Sequence, residues 1–326
     1  MRIYLSYYYL ELIALGPPEE GTTKFRPRRQ SQRVERAKMT SRGPPRREPI
    51  DVTAVERRAI VLDYIEGGYY LDPHRWHRSR TVAQAIGLNR FTLLDGIPLQ
   101  RVEPLEEVTV VKESLMPIEE PLDPTGRRTR KLEVSLVCLE ETGKKACTPL
   151  QHVEQRVLDL LRIALGDEVE LLGSSAELSK VAESKGLPPK LLAAPKSPLR
   201  FSDLTELAKR NLKDAVKVII RSREKEFVDF FNKAAPINIR LHAIELLRGV
   251  GKKTLKAILD ARERKPFQSF DEIKKLLKDD PVDVLADKVV EELSGQSTYN
   301  LFIEPESPSV PFLDYLSVLR PAGRQR

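Results

Sequence analysis

The sequence predicts an α+β protein in which a small N-terminal β-barrel with an insertion precedes an all-α domain. Three observations support this fold class. Short β-prone runs separated by Gly, Pro and Asp turns begin at residue 59, a 3.6-residue apolar period follows residue 203, and residues 16–55 show almost no periodic hydrophobicity. The expected divisions are a disordered basic arm over 1–56, the barrel over 57–187, a linker over 188–200, the helical domain over 201–295 and a C-terminal tail over 296–326.

The composition is typical of a heat-adapted intracellular protein, so we expect a cytoplasmic location. Charged residues make up 32% of the 326 residues, with 24 Pro but only three Met and two Cys, a balance that favours ion-pair networks over labile side chains. No apolar run reaches the roughly 18 residues of a membrane span. The Tyr- and Leu-rich residues 1–15 lack the basic region of a secretory signal. For Cys138 and Cys147 we expect free thiols, the alternative being a disulfide across a turn at 141–144.

The basic arm concentrates the positive charge of the chain. Between Lys24 and Arg47, ten Lys or Arg face the single acid Glu35, a net of +9. Because the whole chain carries +7, the remainder is close to neutral. Such an arm either only keeps the protein soluble or attracts a nucleic acid, and this density of like charge favours the second interpretation.

Short strands follow the arm. Four β-prone runs, at 59–65, 81–86, 90–98 and 108–112, suffice for a small closed barrel. Two more strands are expected at 131–139 and 168–172, and a helix at 151–165 lies between them because its apolar residues fall on one face. Prolines at 188, 189, 195 and 198 then predict the linker.

The helical part begins at Asp203, where the apolar period predicts one long amphipathic helix or two in tandem up to about Asn232. Its outer face is basic and includes Lys209 and Lys213. This is either the solvated face of a core helix or part of a nucleic-acid-binding surface, to which we assign Lys209 and Lys213.

Residues 241–264 predict a helix-hairpin-helix. Two apolar stripes flank its turn: Leu241, Ile244 and Leu247 before it, and Leu255, Ile258 and Leu259 after it. Gly249 and Gly251 permit a tight turn and leave no Cβ between a ligand and the peptide N–H groups that open the second helix, so the turn predicts an anion site. The predicted phosphate-binding residues are Arg248, Gly249, Val250 as the buried pivot, Gly251, Lys252 and Lys253. A plain inter-helix turn is the alternative, but it does not account for two lysines directly after the glycines.

A second hairpin is predicted downstream. Ser269 and Glu272 have the spacing of a capping box for a helix from residue 270 to about 278. Asp280 as N-cap and Pro281 at the first position begin another helix, over 281–293. The turn between them is acidic and lacks glycine, so we expect a structural copy without an anion site.

The second candidate surface is the loop over residues 67–80, which interleaves basic and aromatic side chains. This composition is typical of surfaces where bases stack on rings in an OB-like barrel, although a structural loop with one buried Trp is the alternative. We assign to a nucleic-acid surface Tyr69, Arg75, Trp76, His77, Arg78 and Arg80. His74 and His77 alone are weak evidence for a metal, and no four-ligand zinc spacing is present, so we expect neither metal nor cofactor.

These motifs resemble an archaeal family, domain of unknown function 655, over roughly residues 57–112 and 200–293. The resemblance rests on several segments, among them Val61-Leu62-Asp63-Tyr64, Asp72-Pro73, Phe91-Thr92-Leu93-Leu94, Arg240-Leu241-His242, Gly249-Val250-Gly251-Lys252-Lys253 and Lys265-Pro266-Phe267. It implies an oligonucleotide-binding (OB)-like or S1-like barrel paired with a helix-hairpin-helix, and RNA or nucleic-acid binding without an established reaction. The first 50 residues and the insertion over 113–199 depart from the family pattern, and Arg248 stands where Pro is usual.

The expected function is therefore non-catalytic, largely sequence-independent binding of nucleic acid, with RNA favoured over DNA and with a ribosomal or RNA-processing assembly as a further partner. One rival is a DNA glycosylase or AP lyase, in which Lys253 would be the nucleophile and Asp271 its partner. Another is a protein-interaction scaffold, which predicts no salt-sensitive affinity for naked RNA or DNA.

Overall fold

Ten strands and nine α-helices make up the described part of the chain, which in this computed structural model is residues 51–319 except 124, 126 and 141–144. The predictions for most of the basic arm, for the turn at 141–144 and for the end of the C-terminal tail lie outside it. The strands are β1 (Arg58–Ile65), β2 (Val82–Gly87), β3 (Leu93–Pro98), β4 (Glu107–Pro121), β5 (Thr129–Glu140), β6 (Lys145–Pro149), β7 (Val169–Leu171), β8 (Leu191–Ala194), β9 (Pro236–Asn238) and β10 (Leu241–His242). The helices are α1 (Val52–Val55), α2 (Gln155–Leu165), α3 (Ser175–Ser184), α4 (Glu206–Ser222), α5 (Glu224–Lys233), α6 (Lys252–Arg264), α7 (Phe270–Lys274), α8 (Pro281–Leu293) and α9 (Tyr315–Val318).

The predicted α+β class is confirmed, with eight strands forming one mixed sheet in the order β1-β2-β3-β8-β4-β5-β6-β7. Strand β1 also pairs with β4, through Arg58 opposite Thr109 and Ile60 opposite Glu107. Strand β4 therefore closes a circuit of five paired strands, which follow one another in the order β1, β2, β3, β8 and β4. Pairs β4–β8 and β6–β7 are parallel, and the other pairs in this sheet are antiparallel.

The predicted linker over 188–200 is wrong, because residues 191–194 form β8. All four side chains of β8 are buried, and the strand pairs with both β3 and β4. The prolines lie on either side of this short apolar run, so they limit the length of the strand but remove no N–H donor from its paired residues. The segment that resembled an insertion thus supplies the strand between β3 and β4.

The rest of that segment is an extension of the sheet. Strand β4 runs to Pro121, well past the predicted end at 112, because its second half pairs with β5 from Lys112 opposite Cys138 to Pro121 opposite Thr129. Helix α2 begins and ends close to the prediction and packs Val157 and Leu161 against this hairpin.

The prediction of free thiols is also wrong. Cys138 and Cys147 lie directly opposite each other on β5 and β6, with their Cα atoms 4.1 Å apart, and they form a disulfide. The register of β5 against β6 places the two sulfur atoms side by side. This register could not be predicted from the turn between the two cysteines.

The arm ends earlier than predicted, since residues 52–55 form α1 and Val52 is fully buried. Buried Glu56 follows, and its carboxylate accepts hydrogen bonds from the N–H groups of Asn89, Arg90 and Thr92. These contacts connect the residues just before β1 to the β2–β3 turn.

One hydrophobic cluster joins the first strands of the sheet to the C-terminal helices, and three further clusters lie elsewhere along the sheet. Of the two alternatives predicted after Asp203, one long helix or two in tandem, the structure has two helices, α4 and α5. Their buried faces pack with Ile60 and Ile86 of the sheet. Phe91 bridges the two layers, with its ring centroid 6.2 Å from that of Phe227. Within the part of the chain described, we find no helix with the length and apolarity that a membrane crossing requires.

Candidate functional site

The first arm of the predicted helix-hairpin-helix is shorter than expected. In place of an α-helix there is a single 3₁₀ turn over Ala243–Leu246, because the preceding residues are paired with β9 in strand β10. The His242 Nδ1 accepts from the Ile244 N–H at 3.2 Å, and the Glu245 carboxylate accepts from the His242 N–H at 2.9 Å. This reciprocal cap fixes the 3₁₀ turn. The second arm is the predicted helix, α6, and Val250 is buried between the arms as expected.

The two glycines of the turn are exposed. Gly249 has φ +79°, in the left-handed region that favours glycine, and it makes the tight turn possible. Gly251 is the N-cap of α6, with φ −93° and ψ 177°, angles that any residue adopts. A Cβ at Gly251 would meet no described atom within 4 Å. The space in front of the first turn of α6 is therefore open.

The amides at this helix start have no acceptor among the residues that the structure describes. No side chain caps α6, and its first turn contains no acidic residue. Among the described residues, no oxygen accepts from the N–H groups of Gly251, Lys252 or Lys253, whereas the Leu255 N–H donates to the Gly251 carbonyl at 2.9 Å. Unpaired amides at a helix N-terminus, with the positive end of the helix dipole behind them, attract anions.

The three basic side chains of the turn differ in their surroundings. The Lys252 ammonium donates to the Arg240 carbonyl at 2.7 Å and pairs with Glu245 at 2.8 Å, so it bridges the two arms. Arg248 is 81% exposed and lies 3.6 Å from Asp287 of α8. Lys253 is exposed and makes no ion pair with a described residue. It is the basic side chain with the greatest freedom to meet an anion at the open helix start.

The second hairpin is only partly as predicted. Helix α8 begins at Pro281 with Asp280 as its cap, as expected. Helix α7 ends at Lys274, and the predicted capping box is wrong because Ser269 makes no cap bond and Glu272 accepts from the Gln268 N–H instead. The acidic turn comes close to the first hairpin, since Asp279 Oδ2 would lie 3.6 Å from a Cβ at Gly249.

The loop over residues 66–81, hereafter the aromatic loop, connects β1 to β2 and exposes large side chains. Tyr70 is 75% exposed and Trp76 is 49% exposed. Arg75 and Arg78 are also exposed, while Tyr69 and Arg80 are half-buried. The loop thus presents rings and guanidinium groups together, as the sequence predicted.

His77 does not belong to this exposed surface, which corrects its predicted role. It is fully buried, together with Asp72 on the same loop and Asp95 of β3. His74 completes a group whose donor atoms all lie within 4.8 Å of one another. The Nδ1 atoms of both imidazoles face Asp95, that of His74 at 3.0 Å from Oδ1 and that of His77 next to Oδ2. The expectation of no metal site rested on two histidines, whereas the structure adds two buried carboxylates.

These carboxylates favour a positive charge in the group. Burial opposes protonation of His77, but the nearby carboxylates of Asp95 and Glu113 outweigh it and raise the pKa to about 9. For His74, burial is likewise outweighed by Asp72 and Asp95, which raise the pKa to about 9. The carboxylates therefore stabilise a positive charge on the two imidazoles.

Helix α4 connects the two candidate surfaces. Burial and Tyr70 raise the pKa of Tyr69, and the nearby Lys209 ammonium lowers it in part. Lys213, one helical turn further along, pairs with Asp287, the same carboxylate that Arg248 approaches. Helix α4 thus places Lys209 near the aromatic loop and Lys213 next to the acidic partner of Arg248 in the hairpin turn. Lys209 itself pairs with Glu206 at 2.9 Å, so both predicted lysines of α4 have acidic partners.

Asp95 and Glu113 were not among the site residues predicted from the sequence. Asp95 is the acid in the apolar run Leu93-Leu94-Asp95-Gly96-Ile97, and a carboxylate inside a buried strand is the signal that would have identified it. Glu113, on β4, accepts from the Trp76 indole N–H at 3.3 Å and lies 3.5 Å from His77 Nε2.

Comparisons with known proteins identify relatives in archaea. The chain is 35% identical over 108 residues to the uncharacterized protein MJ0038 of Methanocaldococcus jannaschii, a match that spans 32% of this chain and 50% of that protein. The crystal structure of Af1531 from Archaeoglobus fulgidus aligns over 76% of this chain and 100% of that one, with a TM-score of 0.47 and 24% identity.

A family profile described as "Protein of unknown function (DUF655)" matches residues 55–304. The matched range includes residues 113–199, so it extends across the segment that resembled an insertion. Since it covers well over half of the 326 residues, the chain belongs to the DUF655 family.

Proposed function

We propose that this protein binds nucleic acid through the sugar–phosphate backbone, without catalysis and largely without reading sequence. The observation that carries the proposal is the open start of α6, hereafter the phosphate seat, which comprises Arg248–Lys253. Three peptide N–H groups there have no acceptor among the described residues, and Gly251 leaves them uncovered. A phosphate oxygen would accept from these amides, as anions do at helix starts.

Charge around the phosphate seat supports the same ligand. Lys253, which makes no ion pair with any residue that the structure describes, follows the open amides, and exposed Arg248 precedes the glycines. Asp279 near Gly249 opposes an anion, so binding requires the approach from the Lys253 side. Amides and lysines contact phosphate irrespective of the base, which is why we expect little sequence preference.

The aromatic loop is the proposed second contact. Exposed Tyr70 and Trp76 offer rings for stacking by unpaired bases, and Arg75 and Arg78 lie beside them. We propose that the closed circuit of β1, β2, β3, β8 and β4 is an OB-like barrel, with this loop on its binding side. Because stacking needs unpaired bases, single-stranded RNA is the favoured ligand. The +9 arm would add long-range attraction.

Lys209 and Lys213 contribute less than the sequence predicted. Each pairs with an acidic side chain, so a phosphate would have to displace Glu206 or Asp287. Contacts of α4 with the ligand are therefore secondary to those of the phosphate seat.

Two lysines that are adjacent in sequence give an internal test. We expect Lys253→Ala to flatten the plot of log affinity against log salt by about one unit, because one phosphate contact is lost. Lys252→Ala should leave this slope nearly unchanged, since its ammonium already pairs with Glu245. Fluorescence anisotropy with labelled single-stranded RNA of mixed sequence, over a series of salt concentrations, measures both slopes.

The unfolding free energy of each variant is the control. Lys252→Ala removes the bridge between the two arms and should lower stability more than Lys253→Ala does. Equal slopes for Lys253→Ala and the unaltered protein would contradict the assignment of the phosphate seat. A wild-type affinity that did not depend on salt would favour a protein-interaction scaffold.

A further inference from the structure

We infer that Asp72, His74, His77 and Asp95 form a binding site for a divalent transition-metal ion, with zinc as the preferred occupant. This group, hereafter the His–Asp cluster, is separate from the phosphate seat. Three of its four members are fully buried, and His74 is 8% exposed.

Buried polar atoms of the His–Asp cluster lack partners. Asp72 Oδ2, Asp95 Oδ1 and His77 Nε2 make no hydrogen bond within the described structure. His74 Nδ1 makes an ion-pair contact with Asp95 Oδ1, but the hydrogen bonds of both imidazole Nδ1 atoms are with Asp95 Oδ2. A buried carboxylate oxygen without a donor is costly, and two carboxylates side by side add repulsion. Protonated imidazoles alone would balance the charge but would leave these oxygens unpaired. A metal ion bound by the carboxylates would satisfy them.

The spacing of the donors fits a small ion. Adjacent ligands of a tetrahedral zinc, with bonds of about 2.0 Å, lie ~3.3 Å apart. In the His–Asp cluster, His74 Nδ1 lies 3.0 Å from Asp95 Oδ1 and 3.5 Å from Asp72 Oδ1, and His77 Nδ1 lies 3.8 Å from Asp72 Oδ2. These three separations bracket the tetrahedral value, whereas His77 Nδ1 and Asp95 Oδ2 are in closer, hydrogen-bonding contact and would have to move apart to hold one ion.

The donor chemistry favours zinc over magnesium or calcium. Two imidazole nitrogens suit zinc and its neighbours in the first transition row, whereas magnesium and calcium prefer an all-oxygen set. Two carboxylates match the charge of a divalent ion. Because four protein ligands complete a tetrahedral shell, the site is structural and leaves no position for a reacting water.

Glu113 provides the outer partner that metal-bound histidines usually have. With Nδ1 of His77 on the metal, its Nε2–H would face the Glu113 carboxylate, now 3.5 Å away. Glu113 also accepts from Trp76. The metal would thus fasten the aromatic loop to β3 through Asp95 and to β4 through Glu113, and so hold the exposed rings in place.

The test uses the full chain without a polyhistidine tag, treated with a chelator and dialysed. Titration calorimetry with Zn²⁺ should show saturable binding of one ion per chain, and Co²⁺ should give the visible absorption bands of a tetrahedral site. Zinc should also slow tryptic cleavage after Arg75 and Arg78 in the aromatic loop. His152→Ala is the matched control, because His152 is exposed and lies outside the His–Asp cluster, and it should bind zinc like the unaltered protein.

Two variants examine the ligands. His77→Ala should lose saturable binding, and Glu113→Gln should weaken affinity about 10–100-fold while keeping all four ligands. Circular dichroism checks that each variant is folded. If His77→Ala is unfolded, the zinc affinity of Glu113→Gln is the test instead. The inference is overturned if the folded wild-type chain takes up neither Zn²⁺ nor Co²⁺, or if folded His77→Ala binds zinc as tightly as the wild type. It is equally overturned if His77→Ala is unfolded and Glu113→Gln has wild-type affinity.

Discussion

Gly251→Asp should abolish tight binding of RNA and leave the protein folded. The backbone at Gly251 suits any residue, and a side chain there meets open space. A carboxylate would cap the free amides of α6 and place a negative charge where the phosphate binds. Like charges brought together in an interface cost several kcal/mol, so we expect the dissociation constant to rise at least ~100-fold.

The stability of Gly251→Asp should rise although its affinity for RNA falls. Asp is a better N-cap than Gly by a few tenths of a kcal/mol, so the unfolding free energy should rise slightly. Gly173→Asp is the matched control, because it adds the same charge at another exposed position. Fluorescence anisotropy with the same RNA compares the two variants. Equal affinities would mean that the phosphate seat is not where the ligand binds.

Phe227→Ala should lower the unfolding free energy by ~3–5 kcal/mol, as expected when a buried aromatic ring leaves a cavity. Phe227 is fully buried on α5, and its ring lies 6.2 Å from Phe91 beside the sheet and 5.6 Å from Phe302. Because this ring joins the sheet and the helices, the loss should appear in one cooperative transition. Urea unfolding followed by circular dichroism measures it.

The exposed helical position Val218 supplies the control. Val218 is 39% exposed on the neighbouring helix α4, and Val218→Ala should change stability by less than ~0.5 kcal/mol. Two separate transitions, of which Phe227→Ala shifted only one, would show that the strands and helices do not share the core described.

Most elements with local signals were predicted from the sequence. Helix α8 begins at Pro281 with the Asp280 cap because both signals act within one helical turn. Strands β1, β2 and β5 begin and end within two residues of the prediction, since their apolar runs end at turn residues. Where the pairing partner lay far along the chain, the prediction failed. Strand β8 is too short to be recognised without β3 and β4 beside it.

The phosphate seat and the His–Asp cluster also differ in how far each could be predicted from the sequence. The phosphate seat is six consecutive residues, so its composition is visible in the sequence, although the pairing of Lys252 with Glu245 is not. The His–Asp cluster needs Asp95, which lies 18 residues beyond His77 and reaches it only through the pairing of β2 with β3. Burial of His77 follows from that same pairing, and this is why its predicted exposure was wrong.

The most direct test of the central claim observes the amide of Gly251 itself. In the protein labelled with ¹⁵N-glycine, titration with single-stranded RNA should shift the amide resonances of Gly249 and Gly251 in proportion to the bound fraction. The resonance of Gly173, which is exposed just before α3, should not shift. If binding reached saturation while the Gly251 resonance did not move, the phosphate seat would not be the site of contact.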